Sequence, residues 1–93
     1  MTKDQLNLVS FLVVYANAKF PDHAITVFRE FLNDAVKFVP SFTEARLAGD
    51  LQMHKTTVKR WMKGKRNPHF LIKQEVHKAV IRIAEEDLRG FMN

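Results

Sequence analysis

The stretch from Thr43 to Pro68, TEARLAGDLQMHKTTVKRWMKGKRNP, leaves this chain few ways to fold. Its apolar residues recur at helical spacing in two short runs, one on each side of Gln52-Met53-His54. Thr43 is a good N-cap for the first run: Phe42 then precedes the cap and Leu47 sits four residues into the helix, the spacing of a hydrophobic staple. Ser41 with Glu44 is a competing capping box, but it would pair Pro40 with Ala45, a poorer staple. Leu47, Ala48 and Leu51 are expected to face inward, the small Ala48 allowing two helices to cross closely. The second run, Lys55 to Lys63, points Val58, Trp61 and Met62 inward and Lys55, Thr56, Lys59, Arg60 and Lys63 outward. Gly64 is expected to end it as a left-handed cap.

Charge is concentrated in the same place. Between Leu51 and Gln74 lie Lys55, Lys59, Arg60, Lys63, Lys65, Arg66 and Lys73, with no Asp or Glu. The chain carries +5 overall, and the other eight basic residues stand against all ten acidic ones, a net of −2. A basic patch on a near-neutral body points to a polyanionic partner. With 93 residues there is room for one domain and one core. No cysteine is present, which excludes a disulfide framework, a thiolate metal site and a cysteine nucleophile, and fits a reducing compartment.

Three further helices are expected. Thr2 and Gln5 form a capping box opening a helix to about Lys19, before Phe20-Pro21. It carries two apolar stripes: Leu8, Phe11, Leu12 and Tyr15, and then Val9, Val13 and Ala16, the second expected to meet another subunit or more core, of which core is the commoner. The run Leu6–Ala18 is too short to span a bilayer, which takes ~20 residues. It has the length of a leader's apolar segment, but its loss would strip a small domain of much of its core. Asp22 is expected to cap a helix over residues 22–38, with Ala24, Phe28, Phe31, Leu32, Ala35, Val36 and Val39 on its inner face. Asn67-Pro68 is expected to open a last helix over 68–89, with Gly90 past its end. Its stripe is Leu71/Ile72, Val76, Ala79/Val80, Ile83 and Leu88, and Glu75–Lys78 and Arg82–Glu86 stand at helix-neighbour spacing.

Leu47-Ala48, Leu51, Met53, Val58 and Trp61, followed by Gly64 and Pro68, resemble the Cro/C1-type (XRE-like) helix-turn-helix of phage and bacterial repressors, over about residues 42–80. The resemblance implies an all-α, five-helix, lambda-repressor-like bundle with an additional N-terminal helix, the helices at about 3–19, 22–38, 43–51, 55–63 and 68–89. Two positions depart from the family. Gln52 stands where the family has a turn glycine, so a left-handed backbone there would cost ~1 kcal/mol. Glu44 stands where a glutamine often contacts phosphate, and no such contact is assigned to it. Val58 to Met62 also echo a homeodomain recognition helix, but the position that needs an asparagine is Gly64, which sets that likeness aside.

A recognition helix enters the major groove by its N-terminal end, and base edges there are distinguishable. The resemblance therefore makes His54, Lys55, Thr56, Lys59 and Arg60 the base-reading candidates. Thr57, Lys63, Lys65, Arg66, Asn67 and His69 are the phosphate-holding ones. The implied function is a small transcriptional regulator, a repressor on double-stranded DNA acting as a homodimer, cytoplasmic and nucleoid-associated when bound. The alternative is a protein-interaction module on the same fold, an antitoxin subunit or a phage protein docking on host machinery. His23, His54, His69 and His77 have no metal-ligand spacing, and no nucleotide loop, nucleophile elbow or carboxylate pair is present. No enzyme, cofactor, metal, membrane partner or small-molecule substrate is expected.

Overall fold

The aromatic residues of one helix, Ile25–Phe38 (α2), organise the interior of the computed structural model, which describes residues 2–92. Phe28, Phe31, Leu32 and Ala35 line its buried face. Phe31 meets the rings of Phe11, Tyr15, Phe20, Phe28 and His77 at centroid distances of 5.0–6.4 Å. Pairs of this geometry contribute roughly 0.5–1.5 kcal/mol beyond the area they bury. Around α2 stand α1 (Lys3–Tyr15), α3 (Glu44–Asp50), α4 (Lys55–Met62) and α5 (Phe70–Met92), so the described residues form an all-α, five-helix bundle. α1 packs on α2 and α5, α4 on α2 and α3, and α3 on α5.

Local caps account for where several helices start and stop. Thr2 and Gln5 make a reciprocal capping box, and Thr43 Oγ1 accepts from the Arg46 amide at 3.0 Å. Phe42 and Leu47, the two ends of the expected staple, are both buried. α3 and α4 then end in the same way. Met53 N–H donates to Ala48 O at 2.9 Å and Gln52 N–H to Gly49 O at 3.2 Å, with Gln52 at φ 55°. Lys65 N–H donates to Arg60 O at 2.9 Å and Gly64 N–H to Trp61 O at 3.1 Å, with Gly64 at φ 72°. Both are Schellman closures, one built on glutamine and one on glycine.

Other boundaries differ from expectation because tertiary contacts override the local signal. α1 stops at Tyr15 rather than Lys19: His77 Nε2 donates to the Tyr15 carbonyl at 2.7 Å, and the chain turns so that Phe20 enters the core. The second stripe of α1 is not core. Val13 is 79 % exposed and Ala16 is also exposed, since α1 has neighbours on one side only. Asp22 does not cap α2, which begins at Ile25 with no side-chain cap; its carboxylate instead accepts from the Phe70 amide at 2.7 Å and caps α5. Asn67 caps no helix. Its Nδ2 donates to the Asp22 carbonyl, and α5 begins at Phe70, with His69 Nδ1 accepting from Leu71 N–H at 3.2 Å. Gly90 does not end α5; it keeps a helical backbone and the helix runs to Met92.

The buried side of α5 is Lys73, Val76, Ala79, Val80, Ile81, Ile83 and Ala84, while Leu71 and Ile72 are exposed. Lys73 is fully buried and lies 5.9 Å from the Phe28 ring centroid. Its Nζ donates to the carbonyls of Pro21 at 2.9 Å and Asp22 at 3.0 Å, so a buried charge is satisfied by backbone dipoles. Burial pushes the ammonium below the ordinary lysine range, and the Asp22 carboxylate opposes that shift. The acidic cluster Glu85-Glu86-Asp87 also acts between elements. Glu86 pairs with Arg46 at 2.7 Å, and Asp87 accepts from Ser41 N–H at 2.8 Å. Arg82 lies 3.8 Å from Asp50 rather than pairing with Glu86. No helix of the described residues is long and apolar enough to cross a membrane.

Candidate functional site

The candidate site is the outward face of α4 with the loop that follows it. Val58 and Trp61 anchor α4 inward, the indole packing edge-on against Phe28 at 6.3 Å. At 100° per residue this leaves Lys55, Thr56, Lys59, Arg60 and Lys63 within a sector of about 140° on the opposite side. All five are exposed. His54, also exposed, is the N-cap of α4 but makes no side-chain capping bond.

Two residues of α2 fix the C-terminal end of α4. Asn33 Nδ2 donates to Met62 O at 3.1 Å and to Arg29 O at 2.9 Å. Arg29 lies across Gly64, where a Cβ would stand 2.9 Å from its Nη1. Glycine is favoured at position 64 by its left-handed backbone angle, and its lack of a side chain gives Arg29 its place. Lys65 and Arg66 follow on the exposed loop.

Among the described residues, Lys55, Lys59, Arg60, Lys63, Lys65 and Arg66 have no acidic partner; the ion pairs present are Arg46–Glu86, Lys78–Glu75 and Arg82–Asp50. Among the described residues no ion pair neutralises the cations of this face, and such a field raises the local concentration of anions. Thr57 is half-buried and lines, with Arg60, Arg66 and Asn67, a groove of about 340 Å³ over Trp61 and Pro68.

The six residues expected to hold phosphate divide into two groups. Lys63, Lys65 and Arg66 are free, and Thr57 faces the groove. Asn67 spends one amide hydrogen on Asp22, and His69 spends Nδ1 on the start of α5 while its ring rests 4.6 Å from that of Phe70. Lys73, which belongs to the same basic cluster in sequence, is inside the protein. Glu44 has one carboxylate oxygen buried without a hydrogen-bond partner, in the first turn of α3.

Sequence reasoning missed Arg29 and Asn33, which act on the site from α2. Nothing in their local pattern marks them, because their partners are about thirty residues away in the chain. Lys73 did carry a signal. It stands three residues before Val76 and seven before Val80, on the stripe those residues define, and only its being lysine argued otherwise.

No family model, curated protein or solved structure matches this chain.

Proposed function

We propose that this protein binds double-stranded DNA sequence-specifically as a small transcriptional regulator, a repressor that occupies an operator as a homodimer. The observation that carries the reading is the exposed face of α4, whose cations have no internal partners among the described residues. The turn between α3 and α4 adds support: Gln52 takes the left-handed backbone at the position where Cro/C1-type helix-turn-helix proteins have glycine. In this reading α4 lies in the major groove, with His54, Lys55, Thr56, Lys59 and Arg60 toward base edges. Lys63, Lys65 and Arg66 hold phosphates and set register.

The test is binding to the DNA upstream of the protein's own coding sequence and to random duplex, across a salt series. Arg60→Ala and Lys59→Ala should lose roughly 1–3 kcal/mol on the cognate duplex and little on random DNA. Lys65→Ala should weaken both alike and reduce the salt slope by about one unit. Equal loss on both duplexes for Arg60→Ala would overturn the base-reading role. A second reading, a protein-interaction module on the same fold, draws on Leu6, Val13 and Val14, which α1 leaves exposed. Sequence-blind, weak binding in the same series would favour it.

A further inference from the structure

A cavity of about 750 Å³ lies apart from the basic face, between residues 18–23 and the first turns of α5. Its walls are held from several directions. Phe20 is rooted in the core, Lys73 and Asn67 fasten the Pro21 and Asp22 carbonyls, Asp22 caps α5, and His77 fastens the end of α1. A cavity so tied is formed before any ligand arrives, and its size is that of sites for small organic molecules.

Its chemistry is two-sided. Phe20 and Phe70 supply apolar lining, and Phe70 stays 37 % exposed at the start of α5, where a core ring would be covered. Lys19 and Lys78 supply cationic groups and His23 and His77 further polar atoms, against the single carboxylate of Asp22, one oxygen of which is occupied by the Phe70 amide. Lys19 and Lys78 are both exposed, and Lys78 is held only by a surface pair with Glu75 at 3.4 Å, a contact of little strength. His77 already donates from Nε2 to Tyr15, which leaves Nδ1 as its remaining polar atom. Two aromatic walls and an excess of cationic side chains select an aromatic body with one negative charge.

We propose that this cavity binds small aromatic carboxylates and that occupancy is felt at Asn67, whose side-chain amide is bonded to the Asp22 carbonyl in the cavity wall. This inference stands independently of DNA binding.

The test is a titration of the full ¹⁵N-labelled chain with 2-naphthoate, read by amide chemical shifts at neutral pH and constant ionic strength. The expected result is saturable shifts confined to residues 18–23 and 70–78, with the Asn67 side-chain NH₂ signals following the same curve. 2-Naphthamide, of the same shape without the charge, should bind at least tenfold more weakly, and 2-naphthylmethylamine should not bind. The double variant Lys19→Gln/Lys78→Gln, changed only at exposed positions, should keep the parent spectrum and bind 2-naphthoate at least fivefold more weakly. Absence of saturable shifts overturns the site. Equal binding of acid and amide overturns its anion selectivity, and shifts confined to Lys55–Arg66 show anion binding by the basic face instead. A naphthoate curve at residues 18–23 with the Asn67 side chain unmoved overturns the transmission.

Discussion

The two junctions that flank the bundle are built on opposite principles. From Thr43 to Lys65 the chain is closed by its own neighbours: a threonine cap three residues from its partner, then two Schellman turns whose bonds span three and five residues. Between residues 15–22 and residues 67–77 the closure is long-range. Asp22 caps a helix that begins forty-eight residues later, Lys73 returns to the Pro21 and Asp22 carbonyls, and His77 takes the last carbonyl of α1. A locally closed junction is as strong as its caps, each worth about 1 kcal/mol. A junction closed at a distance fails as a unit, since one buried ammonium ties two adjacent carbonyls to α5 and its loss releases both together.

That contrast can be broken by substitution, and the largest effect is expected at Lys73. Lys73→Ala should cost about 3 kcal/mol in urea unfolding, from the lost packing of a fully buried side chain and the loss of its bonds to the Pro21 and Asp22 carbonyls, which keep Ala24 N–H and Asn67 Nδ2 as donors. Lys73→Met, which keeps most of the volume but none of the donors, should fall between that and the parent. A loss below ~1 kcal/mol for Lys73→Ala would mean the long-range closure contributes no more than a local cap. Asp22→Ala should cost about 1 kcal/mol, as for an ordinary N-cap, and its effect should localise in hydrogen exchange to the first turn of α5 rather than to α2.

The local junction offers a matched pair of smaller effects. Gly64→Ala should destabilise by about 1 kcal/mol, from the left-handed backbone, with Arg29 swinging aside to admit the methyl group. Gln52→Gly should act in the other direction by roughly 0.5 kcal/mol, relief of the same backbone angle being partly offset by the freer unfolded chain. Thermal midpoints that move in the same direction for both would show that the two turns are not equivalent.

The last expectation is of a signal that stays absent. Tyr15 is the one tyrosine of the chain; burial, then donation to Asp34 at 2.6 Å and that carboxylate's charge, hold its hydroxyl above the ordinary value of 10.0. The unfolded chain therefore releases this proton first, so its contribution to stability is complete below pH 10 and declines as pH rises beyond it. Absorbance at the phenolate band should remain flat at pH 10 in the folded protein, where a free tyrosine is half ionised. A half-ionised signal at that pH would place the Tyr15–Asp34 contact outside the solution structure.

Much of the fold was legible wherever the relevant partner lay within a few residues. The cap at Thr43, the staple of Phe42 and Leu47, the left-handed Gly64 and the inward Val58 and Trp61 all follow from spacing alone. The same reasoning set out the exposed face of α4, because its outward residues are the complement of the inward ones. It erred where a good local signal had a better distant use. Asp22 has the chemistry of a cap, and the N-cap position of α2, Ala24, lies two residues away, yet the carboxylate reaches α5. Asn67-Pro68 has the pattern of a helix start, but the amide is engaged by the Asp22 carbonyl.

By itself, then, the sequence determined that this chain makes five helices, where three of them are capped or stopped, and which side of α4 carries the charge. Period and capping are properties of neighbours along the chain, and they hold wherever no distant group claims the capping residue. Only the tertiary structure decided that Lys73 is inside, that the second stripe of α1 faces out, and that Glu86 and Asp87 bind α3 and the loop before it rather than their own helix. The first and last depend on which polar group finds a partner between residues forty or more positions apart, and the second on which side of α1 the other helices pack.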